Sequence, residues 1–357
     1  MKIGIDISQI VYGTGVSHYT QNLVENLLKI DEKNEYVLFF SSLRQRLTQI
    51  SNLKTQNCNL KLKTYKFPPV LLDILWNKLH VLPIEKLIGK VDVFHTSDWT
   101  EPPSACRKVT TIHDLTPLLF PDETHPKIIA VHKRKLDWVK KEASLVIAVS
   151  ENTKKDIIEL LGIPAEKIRV IYEAPGEEFY PRRKEEIENT KRKYQIAGDY
   201  ILAMGGGKRK NLERTTQAFE RVKGGPWQKV SPSLIVFGNS PNTKSLGYVP
   251  QEDLAPLYSG AMCFVYPSLY EGFGLPVLEA MACGCPVVTS NVSSLPEIAG
   301  EAAVLVNPLR VEEIFYGINE ALERREEFVQ KGLERSHKFS WEKCASETLA
   351  VYGEVVK

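Results

Sequence analysis

The 357-residue chain offers few of the features that settle a sequence quickly. Its six cysteines, Cys58, Cys106, Cys263, Cys283, Cys285 and Cys344, are scattered. They form no metal-type double pair, and a chain of this length needs no disulfides to hold a core. Cys283 and Cys285 flank Gly284 and read as small core residues. A reducing, cytoplasmic setting fits. No segment approaches the ~18 consecutive apolar residues of a membrane span. The opening Met1-Lys2-Ile3-Gly4-Ile5-Asp6 reads as a strand, because Asp6 interrupts the apolar run that a secretory leader needs. An excess of one charge is also missing. A formal net charge of +2 leaves no basic footprint for nucleic acid.

What is present is ordinary globular composition, 43% hydrophobic and 25% charged. The length exceeds what one core usually serves, so two domains are expected. Strand and helix patterns alternate. Strands are read at 2–7, 36–40, 91–94, 109–112, 145–148 and 168–172, and a helix at 16–30 carries Tyr19, Leu23, Leu27 and Ile30 at helical spacing. The pattern breaks at Glu173-Ala174-Pro175-Gly176 and resumes after a helix at 184–194. A second series comes next, with strands at 200–204, 233–237, 262–266 and 286–290, helices between them, and a last helix from Trp341. The fold class is therefore α/β, with two facing Rossmann-like domains and a ligand cleft between them. The expected domains are 1–175, 176–340 and a C-terminal helix, 341–357, that is a candidate to cross back to the first domain.

The densest chemistry lies in Glu271-Gly272-Phe273-Gly274-Leu275-Pro276-Val277-Leu278-Glu279. Pro276 suits the first turn of a helix and Gly284 its exit. Glu271 then sits on a loop, and Glu279 about one turn into the helix. The glycines let a ligand approach the backbone, and a helix N-terminus favours an anion. Hydroxyls at both ends of a ligand and phosphate in its middle would match, as in a nucleotide sugar. Loop and helix glutamates are usually solvated surface residues. The glycines and flanking strands argue against that here.

Four further places lie at or just past the end of a strand. Gly13-Thr14-Gly15 can offer amides to a phosphate or sugar, although two glycines in such a turn are common. His113, just past a strand, can donate a hydrogen bond or take a proton; a structural pairing with Asp114 is the plain alternative, and His95 is a competitor. Gly205-Gly206-Gly207-Lys208-Arg209-Lys210 combines a free backbone with three cations that suit a diphosphate. Gly247-Tyr248-Val249, at an expected strand end, can present backbone groups of Tyr248 and Val249 to a nucleobase. A basic helical face (His132-Lys133-Arg134-Lys135, Lys140 and Lys141) and the apolar segment 67–82 together suggest a peripheral membrane patch, or else a solvated face beside a buried segment.

The run from Tyr266 to Gly284 resembles the signature of retaining glycosyltransferases of family 4, which have the GT-B fold. Val91-Asp92-Val93-Phe94-His95, Thr111-Ile112-His113-Asp114, Lys210-Asn211-Leu212 and Phe339-Ser340-Trp341-Glu342 also occur in the family's order, so the resemblance spans the chain. It implies that Glu271 binds the 3- and 4-hydroxyls of a donor sugar, and that Gly272, Phe273, Gly274 and Leu275 line the sugar and diphosphate. Glu279 would hold the ribose, Lys210 with Arg209 would neutralise the diphosphate, Gly15 would approach the donor phosphates and His113 would lie beside the transferred sugar. It implies no metal and no cofactor beyond the donor. It also implies a glycan or lipid-linked glycan acceptor, and the general look leans towards bacterial mannosyltransferases of surface polysaccharide synthesis that use GDP-mannose, with a UDP-sugar as the other donor. One departure stands out. Many members carry Arg where this chain has Gly206, which leaves Lys208 or Arg209 to supply that charge. Two other readings share the architecture: a nucleotide-sugar 2-epimerase, and a non-catalytic sugar-binding or partner subunit.

Overall fold

The computed structural model describes all residues except 46, 48–58, 226, 228–229, 239 and 241–244; Cys58 lies outside the described residues. The chain divides into two compact units, Met1–Glu173 with Trp341–Lys357, and Ala174–Ser340.

The first unit is built on seven parallel strands: β1 (Lys2–Asp6), β2 (Glu35–Ser41), β3 (Leu60–Tyr65), β4 (Val93–Thr96), β5 (Arg107–Ile112), β6 (Leu145–Ala148) and β7 (Ile168–Val170), in the order β3-β2-β1-β4-β5-β6-β7. The order turns back on both sides of β1, so β1 and β4 flank the switch point where such sheets present their ligand sites. β2 carries an unbroken apolar run, as a strand covered on both faces should. β3 was not expected. Its Leu-Lys-Leu-Lys alternation leaves most side chains exposed at the sheet edge, where lysines discourage pairing with another chain.

The helix Gly15–Ile30 begins one residue earlier than expected, because Thr14 caps it reciprocally with Ser17. The C-terminal helix Trp341–Val356 belongs to this unit. Trp341 meets Tyr19 edge-on at 5.8 Å, and the Tyr352 hydroxyl lies 2.6 Å from His95 Nδ1.

The second unit has five parallel strands: β8 (Tyr200–Met204), β9 (Ser233–Phe237), β10 (Phe264–Tyr266), β11 (Val287–Ser290) and β12 (Val304–Val306), in the order β12-β11-β10-β8-β9. Its core includes Ile201, Val236, Val265, Val288 and Ile318. β12 escaped the sequence reading because three residues carry no usable period. The stretch 247–249 is not a strand end. Gly247 makes only an isolated bridge to Gly238, and the backbone from there to the helix Gln251–Gly260 is irregular.

Candidate active site

In the second unit, the loop after β8 and the loop after β10 are laced together. The Leu269 amide donates to the Arg209 carbonyl at 2.9 Å, and the Arg209 guanidinium donates to the Tyr270 carbonyl at 2.6 Å. Asn211 occupies the left-handed region at φ 58° and donates through its side-chain amide to the carbonyls of Pro267 and Pro308. This bracing aims the cations inward. Glu271 Oε1 lies 2.7 Å from Lys210 Nζ and 3.1 Å from the Arg209 guanidinium, and it accepts the hydroxyls of Tyr266 and Ser268, each at 2.6 Å. Lys210 also bonds the Tyr266 hydroxyl. Burial works against the Glu271 charge, but Lys210 and Arg209 hold its carboxyl below the usual range. The result is a rigid cation–carboxylate cluster. Lys208 is exposed and stands outside it.

The expected helix runs Leu275–Ala282, with Pro276 in its first turn. Gly274 caps it at φ 104°, and a Cβ there would stand 2.7 Å from Leu295 Cδ2. Only glycine meets both demands. Two serines from the turn after β11 fix this loop, and the sequence reading missed both. Ser293 donates to the Glu271 carbonyl, and Ser294 donates to the carbonyls of Glu271 and Phe273 at 3.0 and 2.7 Å. Nothing in isolated Ser-Ser signals such a role. Phe273 is buried, edge-on to Phe339 at 6.1 Å. Gly272 is buried, and Leu275 is partly so.

Glu279, on the same helix, lies apart from this cluster in bonding. Its Oε2 accepts the Tyr258 hydroxyl at 3.3 Å. The residue keeps some solvent contact, but burial of the carboxyl, with Glu178 nearby, pushes it up to about 8. Gly205 is buried, its amide donating to the Phe237 carbonyl at 2.7 Å. Gly206 and Gly207 are exposed at φ 119° and 68°, a backbone that an arginine at 206 would strain. Tyr248 is 82% exposed, while Val249 is buried.

In the first unit, Gly13 closes the short turn Ser8–Tyr12 at φ 63°, and Gly15 opens the following helix. A Cβ on either would meet open space. His113 does not pair with Asp114. Asp114 instead accepts the Thr116 amide at 2.8 Å, whereas His113 Nδ1 lies 2.9 Å from Glu173 Oε1, with the Tyr19 ring edge-on at 4.5 Å. Burial disfavours the imidazolium, but the Glu173 carboxylate outweighs it and raises the His113 pKa. Glu173 sits where the sequence had read a linker. His95 differs: burial, with Lys135 and His113 near, takes it down to about 3. Both its nitrogens are engaged, by Tyr352 and Thr111. It is a neutral packing residue.

The basic face at 132–141 is only partly solvated. Lys135 is buried against the Thr110 hydroxyl, and Arg134 is paired with Asp73 at 2.6 Å. Leu72 and Trp76 of the 67–82 segment are buried, whereas Val70, Leu79 and Val81 are exposed. Among the described residues, no helix is long and apolar enough to cross a membrane, and no group of three or more His, Cys, Asp or Glu is placed to hold a metal.

Two doubly wound parallel sheets, one with cations and a carboxylate braced beside a glycine-capped helix, define a GT-B protein with a site suited to a diphosphate. Comparison with known proteins makes this specific. The family described as Glycosyltransferase Family 4 matches residues 13–174, and Glycosyl transferases group 1 matches residues 186–335. O-antigen chain mannosyltransferase B of Escherichia coli is 34% identical over 99% of this chain and 99% of its own length. The serotype-specific mannosyltransferase WbdA of E. coli is 31% identical over 67% of this chain, which spans about a third (32%) of that longer protein. Among solved structures, sucrose-phosphate synthase of Thermosynechococcus elongatus superposes with a TM-score of 0.72 at 19% identity, covering 99% of this chain and 98% of that one. The chain belongs to glycosyltransferase family 4 and is a glycosyltransferase.

Proposed function

We propose that the protein transfers mannose from GDP-mannose to a growing surface glycan, with retention of anomeric configuration and without a metal. The observation that carries the reading is the convergence of Lys210 and Arg209 on Glu271 beside the glycine-capped helix. Full-length similarity to an O-antigen chain mannosyltransferase supports the sugar and the acceptor class.

Breaking the anomeric bond leaves negative charge on the diphosphate and positive charge on the sugar ring. Lys210, Arg209 and the amides at the start of the helix Leu275–Ala282 stabilise the first charge, and preorganised donors of this kind commonly contribute about 10²–10³ in rate each. They supply the positive charge that a divalent cation supplies in other transferases. Glu271 accepts sugar hydroxyls and holds the cations in place, while Glu279 accepts the ribose hydroxyls. The acceptor hydroxyl attacks the anomeric carbon on the face the diphosphate leaves. Its proton passes to the departing phosphate oxygen, so no protein base is consumed. His113, kept protonatable by Glu173, donates to the transferred sugar. A 2-epimerase or a non-catalytic subunit is not favoured, since both E. coli relatives are mannosyltransferases.

A thermal-shift panel of nucleotide sugars in EDTA tests the reading. GDP-mannose at a hundred times its Kd stabilises the fold by about 2.7 kcal/mol, and UDP-glucose does so less. A larger shift with UDP-sugars, or a shift that EDTA abolishes, refutes the donor or the metal independence.

A further inference from the structure

The turn after β11 carries two serines that depart from what their local positions favour. Ser294 stands at the N-cap of the helix Leu295–Ala299 but makes no side-chain cap bond. A serine there ordinarily accepts an amide of the helix's own first turn. Ser294 is instead fully buried, and its hydroxyl reaches the loop that precedes the helix Leu275–Ala282. Ser293 holds the left-handed region at φ 61°, which residues with a side chain seldom adopt. Both serve partners 21 to 23 residues back in the chain.

The two hydroxyls divide their work. Ser293 Oγ accepts the Glu271 amide at 3.0 Å and donates to the Glu271 carbonyl at 2.5 Å, so both backbone polar groups of Glu271 are tied to one side chain. A hydroxyl has a single proton to give. The Glu271 carbonyl already takes that of Ser293. Ser294 lies closer to the Phe273 carbonyl, at 2.7 Å, than to the Glu271 carbonyl, at 3.0 Å, and serves Phe273 first. In a trans peptide the carbonyl of one residue and the amide of the next point opposite ways. Holding the Phe273 carbonyl against the buried turn therefore aims the Gly274 amide away from it, at the head of the helix Leu275–Ala282, where an anion is favoured.

The Glu271 side chain makes its backbone position matter. Lys210, Arg209, Tyr266 and Ser268 all meet the carboxylate at Oε1. With that oxygen anchored, the direction of Oε2 depends on where the backbone holds the Cα and Cβ of Glu271. Ser293 sets that position from the opposite side of the loop.

We propose that Ser293 and Ser294 are positioning residues with separate tasks. Ser293 directs Glu271 Oε2 at the hydroxyls of the donor sugar, and Ser294 turns the Gly274 amide onto the donor diphosphate. Each acts through the residue it holds. Both roles rest on the donor chemistry proposed above.

Calorimetric titration of the full chain with GDP, GDP-mannose, UDP and UDP-glucose tests this in the wild type, Ser293→Gly and Ser294→Ala. Glycine adopts φ 61° without strain, so Ser293→Gly deletes the hydroxyl and keeps the backbone, which circular dichroism checks. The quantity read is the Kd of the nucleotide sugar divided by that of its nucleotide, on whichever pair the wild type binds. Ser293→Gly should raise this ratio at least about tenfold while the Kd of the nucleotide alone changes less than about threefold. Ser294→Ala should weaken both ligands at least about fivefold and leave the ratio within about twofold of the wild type. A brace without these tasks moves both ligands alike in both variants. That result, or wild-type affinities in the folded variants, overturns the assignment. Should the buried Ser294→Ala fail to fold, the Ser293→Gly ratio decides alone. Binding of the UDP pair in place of the GDP pair overturns the donor proposed above, and the serines are then judged by the same ratio on the UDP pair. Binding of neither pair by the wild type overturns both.

Discussion

At pH 7, a carboxyl pushed up to about 8, as that of Glu279 is, carries its proton in about nine molecules of ten. In the proposed reaction the ribose hydroxyls donate to this group, and donation favours the carboxylate. If bound nucleotide returns it to its ordinary value of 4.5, binding at pH 7 releases about 0.9 proton. Affinity then rises about tenfold per pH unit between roughly 5 and 8, or about 1.4 kcal/mol per unit, and levels off above 8. Calorimetric titration with GDP in phosphate and in Tris, whose ionisation enthalpies differ, counts the protons directly. Glu279→Gln should reduce the count to near zero and flatten the pH dependence.

The ligand-free protein shows the same group with the opposite sign. The folded pKa is raised, so its contribution to stability is present in full below about 4.5 and is lost as pH rises through about 8. The melting temperature of the wild type should fall over that interval more than that of the Gln variant. GDP binding by the wild type with no proton release, or equal release by Glu279→Gln, refutes the reasoning.

Glu271→Ala and Lys210→Ala should each lower kcat by at least about 10²-fold in a transfer assay while the circular dichroism stays native. Near-normal turnover in either removes the cluster from the mechanism. Glu173→Gln should lower the His113 pKa, since the carboxylate 2.9 Å away does most to raise it, ahead of Asp98 and Asp114; an unchanged imidazole titration by NMR contradicts that pairing. Gly274→Ala forces a side chain into φ 104° and against Leu295. It should cost about 1–3 kcal/mol and lower the melting temperature by several degrees. An unshifted transition would mean that the loop relaxes freely.

The parts of the fold that were legible in the sequence had a strong period or strong punctuation. β1, β2 and β8 are apolar runs ended by turn residues. The helix Leu275–Ala282 was bracketed by Gly274, Pro276 and Gly284. β3 and β12 were not legible, one because its lysines face solvent at an edge and the other because it is three residues long. At the candidate site, sequence supplied the charged residues but not their bonding. Glu271, Lys210 and Arg209 could be named from spacing, yet Tyr266, Ser268, Ser293 and Ser294 become partners only through contacts between loops. The pairing of His113 with Glu173 spans sixty residues, and no local pattern distinguishes it from pairing with Asp114. Lys135 and Arg134 look like surface charge in the sequence and turn inward only because the helix Pro126–Glu142 packs against Thr110 and Asp73.

The most direct test of the central claim is time-resolved NMR of GDP-α-mannose with the purified protein and a mannose-terminated acceptor, beside the Lys210→Ala variant. The expected result is consumption of the donor in EDTA and growth of an α-linked mannoside, with both lost in the variant. A β-linked product, or a donor left intact while other nucleotide sugars are turned over, would contradict it.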